Sequence, residues 1–237
     1  MIKLVLLHEK RDLVVPGEII AKGDYLEGEN TFRANDEIYA TRIGLVDSNN
    51  KRVSVVALRS FYVPSVNDVV IGKVIEVGIR GWTVEINSPF LALLRGSDTL
   101  TKRFSPKDDE LTSILDVGDI IIAKIIAYDR TRNPLLTVRE QGLGKVEGGQ
   151  IVVVTPTKIP RVIGKKGSMI SMLKNETGCN ITVGQNGVIL VSGKNPVVEG
   201  IAVRAIKMIE RESHTTGLTD RVTDMVRREK KELNLIE

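Results

Sequence analysis

The chain has 237 residues, 42% of them hydrophobic and 27% charged, with a formal net charge of +4. That balance describes a globular protein of one large domain or two to three small ones, and it is too mildly basic to establish a polyanionic partner by itself. A single cysteine, Cys179, excludes an intrachain disulfide and fits a reducing compartment, and no apolar run approaches the roughly 20 residues of a membrane span.

In chain order, Met1 to Leu7 is a short apolar run followed by charge, which predicts a strand rather than a cleaved signal. Ile38 to Ile43 and Val53 to Leu58 are rich in β-formers, with Asp47-Ser48-Asn49-Asn50 as a turn cluster between them. No helical pattern occurs here. The expectation for residues 1–63 is a small β-barrel or β-sandwich. Its acids Asp24, Glu27 and Glu29 read as solvated turn residues, and a β unit without chemistry suits a docking role.

Residues 64–142 predict a second unit. Strands are expected at Asp68 to Val77, Trp82 to Ile86, Phe90 to Leu94, Asp119 to Tyr128 and Leu135 to Glu140, and the openings at Asp68 and Asp119 nearly repeat. Five short strands with an irregular insert before the fourth suggest an OB barrel. Val70-Ile71-Gly72-Lys73-Val74, Gly81-Trp82-Thr83-Val84-Glu85-Ile86, Val117-Gly118-Asp119 and Leu136-Thr137-Val138-Arg139 resemble the S1-type RNA-binding form of that barrel. The family carries a phenylalanine-rich surface on its early strands. Here Trp82 takes the aromatic place and Val84 replaces the second aromatic. Trp82 therefore has two readings, a base-stacking platform worth about 1–3 kcal/mol per base or a barrel core residue. The cationic RNA-binding candidates are Lys73, Arg80, Arg95, Lys102, Arg103 and Lys124.

Gly142 to Gly149 holds four glycines and reads as a linker. A strand over Gln150 to Thr155 then leads, past Pro156, to Arg161-Val162-Ile163-Gly164-Lys165-Lys166-Gly167-Ser168-Met169-Ile170. Two glycines let a backbone approach a ligand closely, and the start of the helix that follows favours an anion. Between Thr157 and Asn175 lie five basic residues and no acid. A sugar-phosphate backbone suits this loop, and the candidate contacts are Lys158, Arg161, Gly164, Lys165, Lys166 and Gly167. Met169, Ile170 and Leu173 share a helical face, Gly178 is a helix stop, Asn186-Gly187 marks a hairpin, and Asn195-Pro196 opens a further helix. An isolated Gly-x-x-Gly is compatible with a plain turn. In this element order the stretch 150–213 resembles a KH domain of the eukaryotic-type order, whose loop clamps the backbone of about four nucleotides. Residues 214–237 predict a C-terminal helix, packed through Leu218, Val222, Met225 and Val226.

No catalytic constellation is visible. His8 and His214 lack a cysteine or carboxylate at metal-ligand spacing. Asp108-Asp109-Glu110 follows Ser105-Pro106 and reads as a helix N-terminus. The loop at Gly164 lacks a Gly-Lys-Ser/Thr ending. No cofactor, metal or catalytic residue is expected.

The whole is multidomain, β plus α/β. Val15-Pro16-Gly17-Glu18, Trp82 to Pro89 and Ile159 to Gly167 together resemble the S1/KH-type RNA-binding cap subunits of the archaeal exosome. That resemblance implies a non-catalytic, cytoplasmic protein that binds single-stranded RNA. It implies three copies on a hexameric ring of RNase PH-like phosphorolytic subunits, docked by their N-terminal units, with RNA passing through the cap for 3′-to-5′ degradation. A transcription or translation factor pairing an S1 barrel with KH modules on structured RNA is the alternative. Such factors often carry tandem KH units and a helical N-terminus, unlike this chain.

Overall fold

A computed structural model describes residues 5–58, 61–99, 111–129 and 131–233. The chain forms two compact units, residues 1–60 and 61–237.

The first unit contains β1 (Val5–Leu6), β2 (Leu13–Val14), β3 (Ile19–Lys22), β4 (Leu26–Glu27), β5 (Thr31–Ala34), β6 (Glu37–Ala40), β7 (Gly44–Asn49) and β8 (Arg52–Ala57). They make two four-stranded sheets, ordered β1-β3-β6-β5 and β2-β7-β8-β4. Alternation along β6, β7 and β8 sends Ile38, Ala40, Val46, Val53 and Val55 into the core. β7 runs through the expected turn cluster as far as Asn49. The reversal is made by Asn50 and Lys51, both at positive φ, as a two-residue hairpin turn requires.

The second unit begins with β9 (Val69–Val77), β10 (Gly81–Glu85), β11 (Leu91–Arg95), the short helix α1 (Leu111–Ile114), β12 (Ile120–Asp129), β13 (Arg132–Thr137) and β14 (Gly144–Lys145). The sheet order is β13-β11-β10-β9-β12-β14, and pairing of β13 with β12 closes five strands into a barrel. The two near-repeated openings are antiparallel partners, with Ile120 opposite Lys73 and Lys124 opposite Val69. Tyr62 packs into this barrel and donates to Asp68 at 2.5 Å. The boundary therefore falls after residue 60 rather than after Val63. The expected linker also proves structured. Gly144 and Lys145 pair with Ile122 and Ile121, and Lys145 forms an ion pair with Asp119 at 2.6 Å.

Next come β15 (Gln150–Val153), α2 (Ile159–Ile163), α3 (Ser168–Thr177), β16 (Asn180–Val183), β17 (Val188–Ser192), α4 (Pro196–Arg211) and α5 (Leu218–Glu232). The three strands form an antiparallel sheet ordered β15-β17-β16. Asn195 caps α4, its side chain accepting from the Val197 N–H at 2.9 Å, with Pro196 in the first turn. One face of the sheet is covered by the helices around Ile159, Val162, Leu173, Ile201 and Ile206. Helix α5 joins this same core through Leu218, Val222 and Val226, so it is part of the module rather than an appendage.

The other face of this sheet meets the barrel. Val188 and Leu190 bury against Ile71 of β9, with Ile120, Ile122 and Val146 around them. Burying side chains of this size contributes about 1.5–3 kcal/mol each. Asn186, fully buried at the hairpin tip, fixes the joint. Its Nδ2 donates to the carbonyls of Ile71 (2.7 Å) and Ile86 (2.9 Å), and its Oδ1 accepts from the Ile71 N–H at 3.3 Å. Asn87 Nδ2 donates to the Asn186 carbonyl at 2.7 Å, and the Gln185 N–H to Val69 at 2.8 Å.

Candidate nucleic-acid interface

The Gly-x-x-Gly loop joins α2 to α3. Gly164 ends α2 at φ 76°, ψ 170°, and a Cβ there would lie 2.7 Å from both the Met169 nitrogen and its Cβ. Only glycine lets the two helices meet this closely. Lys166 takes a left-handed conformation at φ 53°, ψ 30°, and Gly167 another at φ 79°. Around Gly167, by contrast, a Cβ would meet nothing closer than Ile170 Cγ2 at 4.0 Å, so that side of the loop is open.

Gly167 is the N-cap of α3 and offers no side chain to the first-turn N–H groups, and no acid lies in that turn. The positive end of the helix dipole therefore faces the loop uncompensated. Lys165 and Lys166 are exposed. Neither they nor Lys158 have an ion-pair partner among the described residues. Lys158 is half-buried just before α2. Arg161 points elsewhere, its Nη2 donating to the Thr215 carbonyl at 3.0 Å.

The loop's support is electrostatic as well as apolar. Glu210 of α4 accepts from the N–H (2.6 Å) and hydroxyl (3.0 Å) of Thr155 and from Lys207 (3.0 Å). Burial opposes its charge, yet these donors hold its carboxyl below the usual range. This anchors the chain between β15 and α2.

On the barrel the candidates separate. Trp82 is 1% exposed, and its Nε1 donates to the Leu115 carbonyl at 2.8 Å. It lies on the inward face of β10 with Val84, so no base can stack on it, and the core reading replaces the platform reading. Lys124 forms an ion pair with Glu140 at 2.8 Å, so its charge is already matched. Lys73 is exposed on β9 and borders a groove of ≈210 Å³ with Glu85, Asn87, Ile151 and Val153, between barrel and sheet. Arg80 and Arg95 do come together. Arg95 pairs with Gly81 across β10 and β11, and the Gly96 N–H donates to the Arg80 carbonyl at 3.0 Å. Lys102 and Arg103, like Asp108-Asp109-Glu110, lie outside the described residues.

Arg95 also borders a groove of ≈490 Å³ with Leu93, Tyr128, Asp129, Arg132 and Leu135. Tyr128 meets Phe90 edge-on, with ring centres 5.5 Å apart. The hydroxyl and N–H of Thr131 hold the Asp129 carboxyl below its usual range, so this groove is lined by an anion as well as by Arg95 and Arg132. Arg132 and Tyr128 were not anticipated. Their position flanking the turn between the last two barrel strands, a nucleic-acid-binding edge in OB folds, was the available signal.

Among the described residues no group of three or more His, Cys, Asp or Glu could hold a metal ion. No described helix is long and apolar enough to cross a membrane.

A closed five-stranded barrel fixed to a Gly-x-x-Gly module defines an S1/KH RNA-binding protein. The chain is 46% identical over 222 residues to the exosome complex component Rrp4 of Methanothermus fervidus, covering 94% of this chain and 98% of that one. It belongs to the Rrp4 family of exosome components. A second Rrp4, from Thermococcus kodakarensis, is 45% identical over 232 residues, covering 96% of this chain and 90% of the relative. Family models agree by segment: the N-terminal domain of the exosome RNA-binding protein RRP4 over residues 11–59, the RRP4 S1 domain over 61–127, and the KH domain over 149–213. A crystallised protein described as an exosome complex RNA-binding one superposes with a TM-score of 0.70 at 47% identity, covering 73% of this chain and 99% of its own. As a member of this family the chain is a non-catalytic, RNA-binding exosome component.

Proposed function

We propose that this protein caps the exosome in the cytoplasm, holding single-stranded RNA and guiding it, uncut, into a phosphorolytic ring for 3′-to-5′ degradation. In this reading three copies sit on a hexameric ring of RNase PH-like subunits. Residues 1–60 dock, the barrel from Phe61 to Lys145 lines the pore, the KH module at 150–213 takes hold of the strand, and α5 braces that module. Lys158, Lys165, Lys166 and the amides around Gly164 and Gly167 hold phosphates. Lys73, Arg80 and Arg95 supply the barrel's charge.

The observation that carries this reading is the exposed Lys165–Lys166 tip, without ion-pair partners, on a module joined to the barrel through Asn186. A barrel whose tryptophan is buried can carry a strand without gripping its bases. Two modest sites at fixed separation can raise avidity by about 10²–10⁴ when both engage one strand.

The test is degradation of labelled single-stranded RNA with phosphate and magnesium present. The purified chain should leave it intact. Added to the ring, it should speed degradation, and Lys165→Glu with Lys166→Glu should remove much of that gain. Turnover by the chain alone, or no gain on addition, would sink the proposal.

A further inference from the structure

Where the sheet meets the barrel, a polar-edged groove stays open. Along β9, Val70 and Val74 enter the barrel core, so Ile71 and Lys73 stand on its outer side. Along β10 and just beyond it, Val84 and Ile86 point inward, which puts Glu85 and Asn87 outside. In the sheet, Val152 and Val154 join the core beneath the helices, so Ile151 and Val153 face the barrel side with their partners Leu190 and Val188. β17 covers Ile71, but β15 reaches past the covered area, leaving Ile151 40% and Val153 50% exposed. The result is the groove of ≈210 Å³, with aliphatic walls from Ile120, Ile151 and Val153 and polar groups from Lys73, Glu85 and Asn87.

These polar groups are not used up within the chain. Lys73 stands opposite Glu85 across β9 and β10, yet neither has an ion-pair partner among the described residues. Asn87 Nδ2 is committed to the Asn186 carbonyl at 2.7 Å, which orients the amide and leaves its Oδ1 as an acceptor. One border of the groove therefore offers a cation, and another offers a carboxylate and an amide oxygen on one strand face.

We infer that this groove takes one base of a single-stranded RNA and selects guanine over uracil. The inference rests on the reading above that the chain holds such a strand. The groove is smaller than the roughly 300–1,000 Å³ of a drug-sized ligand site, and its aliphatic walls suit the faces of a flat ring. Unpaired strands present the Watson–Crick edges of their bases. Guanine shows two adjacent donors there, N1–H and N2–H2. The Glu85 carboxylate can accept from both, leaving the second N2 hydrogen for Asn87 Oδ1. Uracil shows a single N–H between two carbonyl oxygens, which would face these acceptors unpaired. Lys73 meets a phosphate of the same strand, adding affinity without selectivity.

The test compares the full chain, by fluorescence anisotropy, on an unstructured uridine oligonucleotide and on the same oligonucleotide carrying one guanosine. The strand can shift register to seat that base. The guanosine strand should bind at least about fivefold more tightly. Glu85→Gln, which puts an amide donor where an acceptor is needed, and Glu85→Ala should each erase the preference, with uridine binding equal or tighter because a negative charge is gone. Lys73→Ala should weaken both strands alike. Thermal melts confirm that the variants are folded. Equal wild-type affinity for the two strands, or a guanosine preference that survives in both Glu85 variants, would overturn the subsite and leave the cap reading standing. Binding of neither strand by the wild-type chain would overturn the RNA-holding reading, and the subsite with it.

Discussion

The Asn186 side chain donates to the Ile71 carbonyl at 2.7 Å, joining positions 115 residues apart. It also serves Ile86 and accepts from the Ile71 N–H, so one fully buried amide satisfies three backbone groups of the barrel. Asn186→Ala orphans all three. Each buried, unpaired polar group costs about 1–3 kcal/mol, so the variant should lose roughly 3 kcal/mol of stability in urea denaturation. A midpoint equal to wild type would show that the hairpin tip does not hold the two modules together.

The two loop glycines should respond differently to alanine. At Gly164 the new Cβ meets Met169 backbone at 2.7 Å, so α2 and α3 must part. At Gly167 the space is open and only the left-handed φ of 79° is penalised, about 1–2 kcal/mol. Gly164→Ala should therefore cost more stability than Gly167→Ala and should also weaken RNA binding. Melting curves and a titration with single-stranded RNA give both readings.

Trp82→Phe tests the reassignment of the tryptophan. It removes the donor to the Leu115 carbonyl and shrinks the barrel core. A loss of about 2 kcal/mol is expected, with RNA affinity unchanged at a temperature where the variant is folded. A selective loss of RNA binding at unchanged stability would restore the platform reading.

Most elements were legible because each follows from local chemistry. The cap at Asn195, the stop at Gly178 and the alternating strands all act within a few residues. The signal for Trp82 was present too, since it alternates in phase with Val84 and Ile86, whose place is the core. Asn186 was legible only by half. Asn-Gly announces a hairpin, but nothing local says that its side chain will enter a barrel built some 100 residues earlier. The linker reading failed for a related reason. Two residues, Gly144 and Lys145, become a strand only because the edge of β12 is available to them.

Acid should loosen the last helix. Arg227 of α5 holds the Glu176 carboxyl of α3 below its usual range, through contacts of 3.0 and 2.5 Å. A depressed folded pKa means the contact stabilises above the unfolded value of about 4.3 and is lost as pH falls through the folded one. The pair is largely solvated, so its contribution is small and is screened further by salt. The wild-type advantage over Glu176→Gln should be present at neutral pH and shrink as acid protonates the carboxyl, in an acid titration of stability for both chains. Lys230, donating to the Glu176 carbonyl at 2.9 Å, keeps part of the joint at any of these pH values.

Salt dependence separates phosphate contacts from base contacts. Each phosphate neutralised on a single strand releases counterions and adds about 0.7 to the slope of log affinity against log salt. Lys165→Ala with Lys166→Ala should lower that slope by about 1.4 and weaken all sequences alike, because the tip meets backbone rather than base edges. Arg80→Ala with Arg95→Ala should give a further reduction, because these arginines lie on the barrel and not on the loop. Lys124→Ala should change the slope little, since Glu140 already neutralises that lysine. Fluorescence anisotropy with unstructured RNA across a salt series measures all three. A slope unchanged by the Lys165 and Lys166 substitutions would remove the loop from the RNA path.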